Sequence, residues 1–523
     1  MVQIIYSGAV YGVESKLVSV EVDVSDGLPG MDMVGYLSTE VREAKDRVRV
    51  AIKNAGFPLS PKHITINFAP ADFRKDGNAY DLPMALGILS HENNLNRNNV
   101  MLTNESRSLF AKSLIVGELG LNGEVKPIRG VLSLVCMAKE HGFKHCIVPA
   151  ANLREATLVS GIHIWGVTCI SDALLLFSEG FSDIAKEGLR EQMTFETVYP
   201  ADTDFNQIHG QCMAKRASMI AAAGFHNLLM SGPPGSGKTM IAKRIPTILP
   251  LMSEAESLEV TKIYSVAGLL KESEPLIKIR PFLNPHHTTT KQALIGGGTK
   301  PRPGAVSLAH RGILFLDELP EFGRGNLDVL RQPLEDRHVM ISRTQGNVTY
   351  PADFMLVAAM NPCPCGFYPD MNRCKCSQSE ISRYQSRISG PLFDRFDLTV
   401  GVNPVTIDEL RSTEFEESSA QMRERVLIAR ERQKARYEGT GIRFNAELQG
   451  SALQTYCKLG DAEEEFMAQV FYNQNLSARG YYRILRVART IADLEDHEHI
   501  TKMNLAQAVC FRRLDTEEDF DHD

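Results

Sequence analysis

The stretch Gly232-Pro233-Pro234-Gly235-Ser236-Gly237-Lys238-Thr239 has the spacing G-x-x-x-x-G-K-[ST], a pattern that cradles the phosphates of a nucleoside triphosphate. Its glycines let backbone N–H groups turn toward phosphate oxygens, and the start of the helix that follows adds positive potential. Lys238 can reach the terminal phosphates, and Thr239 can hold Mg²⁺. The flanks suit this role: His226–Ser231 reads as a short buried strand and Met240–Arg244 as a helix. ATP is the expected ligand and Mg²⁺ its expected companion.

Three more groups of residues could act on such a ligand. Gly312–Leu316 is an apolar run that ends in Asp317 and Glu318. A strand apolar on both faces is a central parallel strand, and its C-terminal end is where α/β sheets place ligands. Asp317 suits the Mg²⁺ shell, and Glu318 can polarise the attacking water as general base. Alone, such an acidic pair reads as a solvated strand end; downstream of a phosphate loop it reads as catalytic. Phe354–Met360 is a second buried strand that delivers Asn361 to the same edge, where an amide can orient water and touch the γ-phosphate. Cys363, Cys365, Cys374 and Cys376 follow at once, four thiolates in two close pairs that could hold a structural Zn²⁺; four reduced thiols or a disulfide are the alternatives. His286 and His287 cannot both face one metal from a regular element and read as loop histidines hydrogen-bonded to the fold.

The elements that must position these groups need more than one core. A chain of 523 residues implies two to four domains. A net charge of −7 argues against coating nucleic acid by bulk charge and leaves room for a local basic channel. Met1–Tyr6 lacks the basic start of a secretory signal, and no run approaches the roughly 20 apolar residues of a membrane span, so a cytoplasmic protein without a membrane partner is expected. Beyond the cysteine loop, the other six cysteines are scattered and read as core filler.

Residues 1–177 are mixed α and β. Val18–Val24 alternates as a strand, as does His63–Phe68, and Ser38–Asn54 reads as a helix with Val41, Ala44, Val48, Ala51 and Ile52 on one face. Residues 178–203 are polar and read as a linker, 204–405 as the nucleotide-binding core, 406–514 as helical, and 515–523 as an acidic tail. The basic run 421–437 reads either as a solvated helix face or as a strip facing DNA.

Several segments resemble known families. Arg74–Asp81, Gly117–Leu119, Gly123–Gly130 and Ile147–Asn152 resemble the active-site region of Lon-type proteases. Ala79 stands at the place of that family's serine nucleophile and Leu132 at its lysine base, so this Lon-protease-like α+β domain is expected to be catalytically silent; rescue by the neighbouring Ser133 is ranked low. The order of strands ending in Asn361 resembles AAA+ ATPases. An insert after the nucleotide-loop helix and a hairpin around Gln345-Gly346, just before the Asn361 strand, resemble the helix-2-insert, pre-sensor-hairpin clade. Arg280–Thr289, Gly296–Gly298 and Pro303–Gly312 narrow this to the magnesium-chelatase-like YifB/ComM family.

That resemblance implies a multidomain α/β protein: a Lon-like domain, a P-loop AAA+ core and a C-terminal helical lid. It implies that Arg395, with Arg387 in reserve, is presented to the ATP of a neighbouring subunit, and that Arg479 is the second-sensor arginine that contacts nucleotide from the lid. The bland alternative for Arg395 is an ion pair with Asp394 or Asp397. Further implications are a homo-oligomeric ring, expected to be a hexamer, and motion on single-stranded or branched DNA in recombination or natural transformation, with Arg343 near the hairpin tip as the DNA contact. The competing reading is a chelatase-like or protein-remodelling ATPase that acts on a partner protein. An active protease is opposed by Ala79 and Leu132.

Overall fold

The computed structural model describes residues 2–57, 59–92, 102–182, 186–188, 203–271, 273–298, 301–343, 346–411 and 416–512. The alternation in the N-terminal region produces a seven-stranded mixed sheet. Its spatial order is Gly30–Val34, His63–Ala69, Glu14–Ser25, Gln3–Tyr11, Ser113–Ile115, His145–Pro149 and His163–Val167. Val18, Val20 and Val22 point into the core. The helix Thr39–Asn54 begins where the Ser38 hydroxyl accepts the Val41 N–H, and it buries Val41, Ala44, Val48, Ala51 and Ile52, the stripe expected from their spacing.

Part of the polar stretch after this domain belongs to it. Glu187 bridges Trp165 on the outer strand, and the Gly188 N–H donates to the Ile164 carbonyl at 2.8 Å. Lys186 lies 3.5 Å from Asp172. A three-residue pairing is too short to leave a periodic signal, which is why it read as linker. Residues 183–185 and 189–202 lie outside the described residues, as does the acidic stretch 515–523.

The second sheet has five strands in the order Phe282–Leu283, Ile313–Leu316, Met355–Met360, Leu228–Ser231 and Leu398–Gly401, all parallel. Every residue of Ile313–Leu316, Met355–Met360 and Leu228–Ser231 is buried, as strands covered on both faces must be. Ligand-bearing loops therefore leave one edge of the sheet together. Between the second and third of these strands runs a hairpin, His338–Arg343 against Gly346–Pro351.

The C-terminal region is helical, and its two long helices, Ser419–Arg436 and Ala478–Leu494, share one hydrophobic core with the sheet. Arg430, Arg432 and Arg436 do not form a free basic strip. Arg430 lies over the Phe444 ring, and Arg432 and Arg436 bond to Asp493. Arg425 and Lys434 stay exposed on the same helix, and Arg425 pairs with Glu417.

Two joints tie the N-terminal domain to the core. The turn Tyr11–Val13 lies against the hairpin, where a Cβ on Gly12 would come within 2.8 Å of Val348. The Glu155 carboxyl, buried in the N-terminal domain, bonds to Ser265 on the core helix Glu254–Ala267. Among the described residues, no helix is long and apolar enough to cross a membrane.

Candidate active site

The phosphate loop leaves the Leu228–Ser231 strand and enters the helix Lys238–Ile248. Gly232 is confined: a Cβ there would lie 2.1 Å from the Val402 carbonyl oxygen. Gly235 and Gly237 have φ of +79° and +92°, and a Cβ on either would meet nothing within 4 Å. The loop thus combines backbone only glycine adopts readily with open space above it, as a phosphate cradle requires. No side chain caps the helix at Gly237. Its first N–H groups are available to an anion.

The Lys238 amine is buried and donates to the carbonyls of Gly232 (2.6 Å) and Pro233 (2.9 Å) and to Asn361 Oδ1 (3.3 Å). Burial lowers its pKa, while Asp317 acts to raise it. Thr239 Oγ1 donates to Asp317 Oδ2 at 2.7 Å. The two residues expected to share Mg²⁺ are in direct contact, and a hydroxyl beside a carboxylate is a fitting oxygen pair for that ion. Glu318 is the next residue, exposed and in a left-handed conformation with φ of +52°. Three segments distant in sequence, carrying Lys238 and Thr239, Asp317, and Asn361, therefore converge on the C-terminal edge of one sheet.

His287 completes this edge. It follows the outer strand Phe282–Leu283, and its Nδ1 lies 3.3 Å from Glu318 Oε2. His286 bonds within its own loop, to Thr288 Oγ1 at 2.9 Å. The adjacent histidines thus differ in role: one shapes the loop, the other faces the candidate base. Their sequence alone carries no signal of this, because strand adjacency brings His287 to Glu318.

The four cysteine sulfurs after Asn361 all lie within 4.8 Å of one another. The separations Cys363–Cys365, Cys363–Cys374 and Cys365–Cys374 are 3.4, 3.7 and 3.6 Å. A Zn–S bond of about 2.3 Å gives tetrahedral sulfur edges of about 3.8 Å, so the donor set fits one Zn²⁺. Backbone N–H groups, first that of Phe367, draw the Cys365 thiol down to about 6.

The arginines lie elsewhere. Asp397 N–H donates to the Asn227 carbonyl, and Asn227 Nδ2 donates to that of Arg395 at 2.8 Å. This fixes Arg395 at the N-terminal edge of the sheet, opposite the phosphate loop of its own chain. Its partner is Glu335, not Asp394 or Asp397; those carboxylates bond to Arg483 and Arg486. Burial, then the charges of Arg479, Arg331, Arg483 and Arg486, lower the Arg395 pKa.

Arg479, expected to contact nucleotide from the lid, has its charge beside Arg395 in this cluster. Its helix is anchored by Arg483 on Asp394 and the Phe396 carbonyl, so the helix start rides beside Arg395. Arg387 pairs with Glu321 at 2.8 Å. Arg343 ends the first strand of the hairpin, paired with Gly346; residues 344 and 345 lie outside the described residues.

In the N-terminal domain, Leu132 is fully buried. Ser133 Oγ donates to the Val13 carbonyl at 2.7 Å, so its hydroxyl is engaged.

Comparison with known proteins agrees with this architecture. The family model described as magnesium chelatase, subunit ChlI matches residues 204–410; models for a further ChlI segment and the ChlI C-terminal region match 20–152 and 416–512. The chain is 41% identical over 520 residues to the competence protein ComM of Haemophilus influenzae, covering 98% of this chain and 97% of that protein. It is 40% identical over 518 residues to YifB, an uncharacterized protein of Salmonella typhimurium, again covering 98% and 97%. The chain belongs to the magnesium-chelatase-like YifB/ComM family. Membership supports an ATPase, in keeping with the loop and carboxylates described above. A segment is also 29% identical over 185 residues to Lon protease 2 of Bacillus subtilis, covering 32% of this chain and 31% of that protein.

Proposed function

We propose that the chain is a ring-forming AAA+ motor that hydrolyses ATP to move on DNA. One observation carries the ring: the phosphate loop and the Arg395–Arg479 cluster lie at opposite edges of the same sheet. An arginine that neutralises phosphoryl-transfer charge from there can only serve the nucleotide of a neighbour. Arg395 and Arg479 are thus assigned to the adjoining subunit's phosphates, in a closed assembly, by resemblance a hexamer.

Within its own chain, Lys238 and the loop N–H groups bind the triphosphate. Thr239 and Asp317 hold Mg²⁺, which screens phosphate charge when bound. Glu318 accepts a proton from the attacking water, His287 steadies the Glu318 carboxylate, and Asn361 fixes the water relative to the γ-phosphate. The cysteine loop holds a structural Zn²⁺, since four thiolates leave no open position for chemistry.

The DNA substrate, and with it helicase or branch-migration work in the cytoplasm, is supported by kinship to a competence protein and by the hairpin that ends near Arg343. Stimulation of ATP turnover by single-stranded or forked DNA at low salt is the expected result. Absence of both binding and stimulation would overturn this reading. The competing reading, a chelatase-like or remodelling ATPase that works on a protein, draws support from the net charge of −7 and from the engagement of the basic helix in internal pairs. It expects stimulation by a protein and indifference to DNA.

A further inference from the structure

The cysteine loop begins beside the phosphate loop and returns to touch it. Asn361, two residues before Cys363, accepts from Lys238. Gly366, which closes the first cysteine turn, lies so close to Pro234 that a Cβ would come within 2.4 Å of the proline Cδ. Gly366 is buried with φ of +85°, and its N–H donates to the Cys363 carbonyl at 3.0 Å, so its position is set by the turn that carries Cys363 and Cys365. Pro234 sits at the crown of the loop, next to Pro233, whose carbonyl accepts from Lys238. The far side of the cysteine loop is tied down as well. Gln385 Nε2 donates to the Pro362 carbonyl at 3.1 Å, and Tyr368 N–H donates to Cys363 Sγ at 3.5 Å.

We propose that the metal centre formed by Cys363, Cys365, Cys374 and Cys376 braces the phosphate loop through Gly366 on Pro234, so that nucleotide affinity depends on metal occupancy. The proposal rests on the readings of an ATP site and a Zn²⁺ site given above. Its physical basis is entropic. With metal bound, four thiolates cross-link residues 363–376 into one rigid body, and the Pro234 crown has a fixed surface behind it. Without metal the thiols repack, Gly366 can withdraw, and the phosphate loop must be ordered by the nucleotide itself, which weakens binding. Coupling of this kind is reciprocal: metal tightens nucleotide by the factor by which nucleotide tightens metal.

The test uses the full chain, loaded with zinc, stripped by a chelator under reducing conditions, and reloaded with zinc or cobalt(II). A fluorescent ADP analogue reports nucleotide affinity, emission spectroscopy reports zinc, and the visible bands of tetrahedral cobalt–thiolate report the site directly. Stripping should weaken nucleotide binding about tenfold. Reloading should restore it, and nucleotide should slow loss of the metal. Pro234→Ala should keep one metal per chain and make nucleotide affinity indifferent to the metal, because it removes the ring that meets Gly366 and leaves the cysteine turn untouched. Lys238→Ala should lose nucleotide and keep the metal.

Equal nucleotide affinity with and without metal, at an unchanged unfolding midpoint, overturns the brace and leaves the ATP and Zn²⁺ readings standing. A native chain that takes up neither zinc nor cobalt overturns the metal reading and the brace with it. A loaded chain that binds no nucleotide overturns the ATP reading instead. Cys374→Ser that still binds nucleotide as tightly as wild type while carrying no metal also sinks the brace.

Discussion

Two helices in this chain start in the same way and do different things. In the N-terminal domain, Val131–Glu140 follows Gly130, which has φ of +75°; in the core, Lys238–Ile248 follows Gly237, at +92°. Neither glycine can cap with a side chain. At the first helix the protein supplies its own acid: Glu155 accepts from the Leu132 N–H at 3.0 Å and from Asn152, and it also bonds to Ser265. At the second no side chain caps the helix, and a Cβ on Gly235 or Gly237 would meet nothing within 4 Å. The start of a helix draws a negative group in either case. Whether that group is built in or exchangeable separates a structural joint from a reaction site.

This contrast can be broken or sharpened by substitution. The largest effect belongs to Glu318→Gln, expected to leave nucleotide affinity unchanged and lower turnover by about 10²- to 10⁴-fold. Unaltered turnover would remove Glu318 from its role as base. Lys238→Ala should weaken nucleotide binding about 100-fold, since it removes charge-assisted bonds from a desolvated amine, without affecting the fold of the N-terminal domain. His287→Ala should lower turnover about tenfold at constant nucleotide affinity, and His287→Asn should restore part of it; a change in affinity alone would refute its contact with the base.

Glu155→Ala should have the opposite signature. It leaves the buried Leu132 N–H without a partner and should destabilise by about 1–3 kcal/mol in denaturant unfolding, with nucleotide affinity intact. Its pH dependence has a definite sign. Burial raises the Glu155 carboxyl above its usual 4.5, so the contribution is greatest below pH 4.5 and declines as pH rises through the folded value. The penalty for Glu155→Ala should therefore be larger at pH 5 than at pH 8. The smallest effect is expected from Ala79→Ser: no peptidase activity, because fully buried Leu132 stands where a base would be needed.

The sequence was most informative where chemistry is local. Phosphate-loop spacing, two acids at the end of an apolar run, an amide after another such run and four clustered cysteines are all contiguous patterns. The helix Thr39–Asn54 showed its buried stripe residue by residue because period 3.6 survives in a surface helix. What stayed hidden depends on contacts between distant segments. His287 meets Glu318 because two short strands pair in parallel, and Glu155 meets Ser265 across 110 residues. Arg479 could be matched to a family position, yet its neighbours are set by how Arg483 and Arg486 dock on Asp394 and Asp397. The basic helix was ambiguous for the same reason: charge is visible in sequence, and its partners are not.

The placement of Arg395 across the sheet from the phosphate loop has a consequence for symmetry. A subunit with a nucleotide-receiving edge and an arginine-donating edge is directional, and edge must meet unlike edge. Two copies related by a two-fold axis present the same patch to each other, and edges on opposite sides of one subunit cannot both lie in that patch. Only head-to-tail stacking satisfies both edges, and such a stack either closes on itself or continues as a filament. A stable two-fold dimer that hydrolyses ATP in solution would therefore count against the proposed assignment of Arg395 to a neighbour's nucleotide.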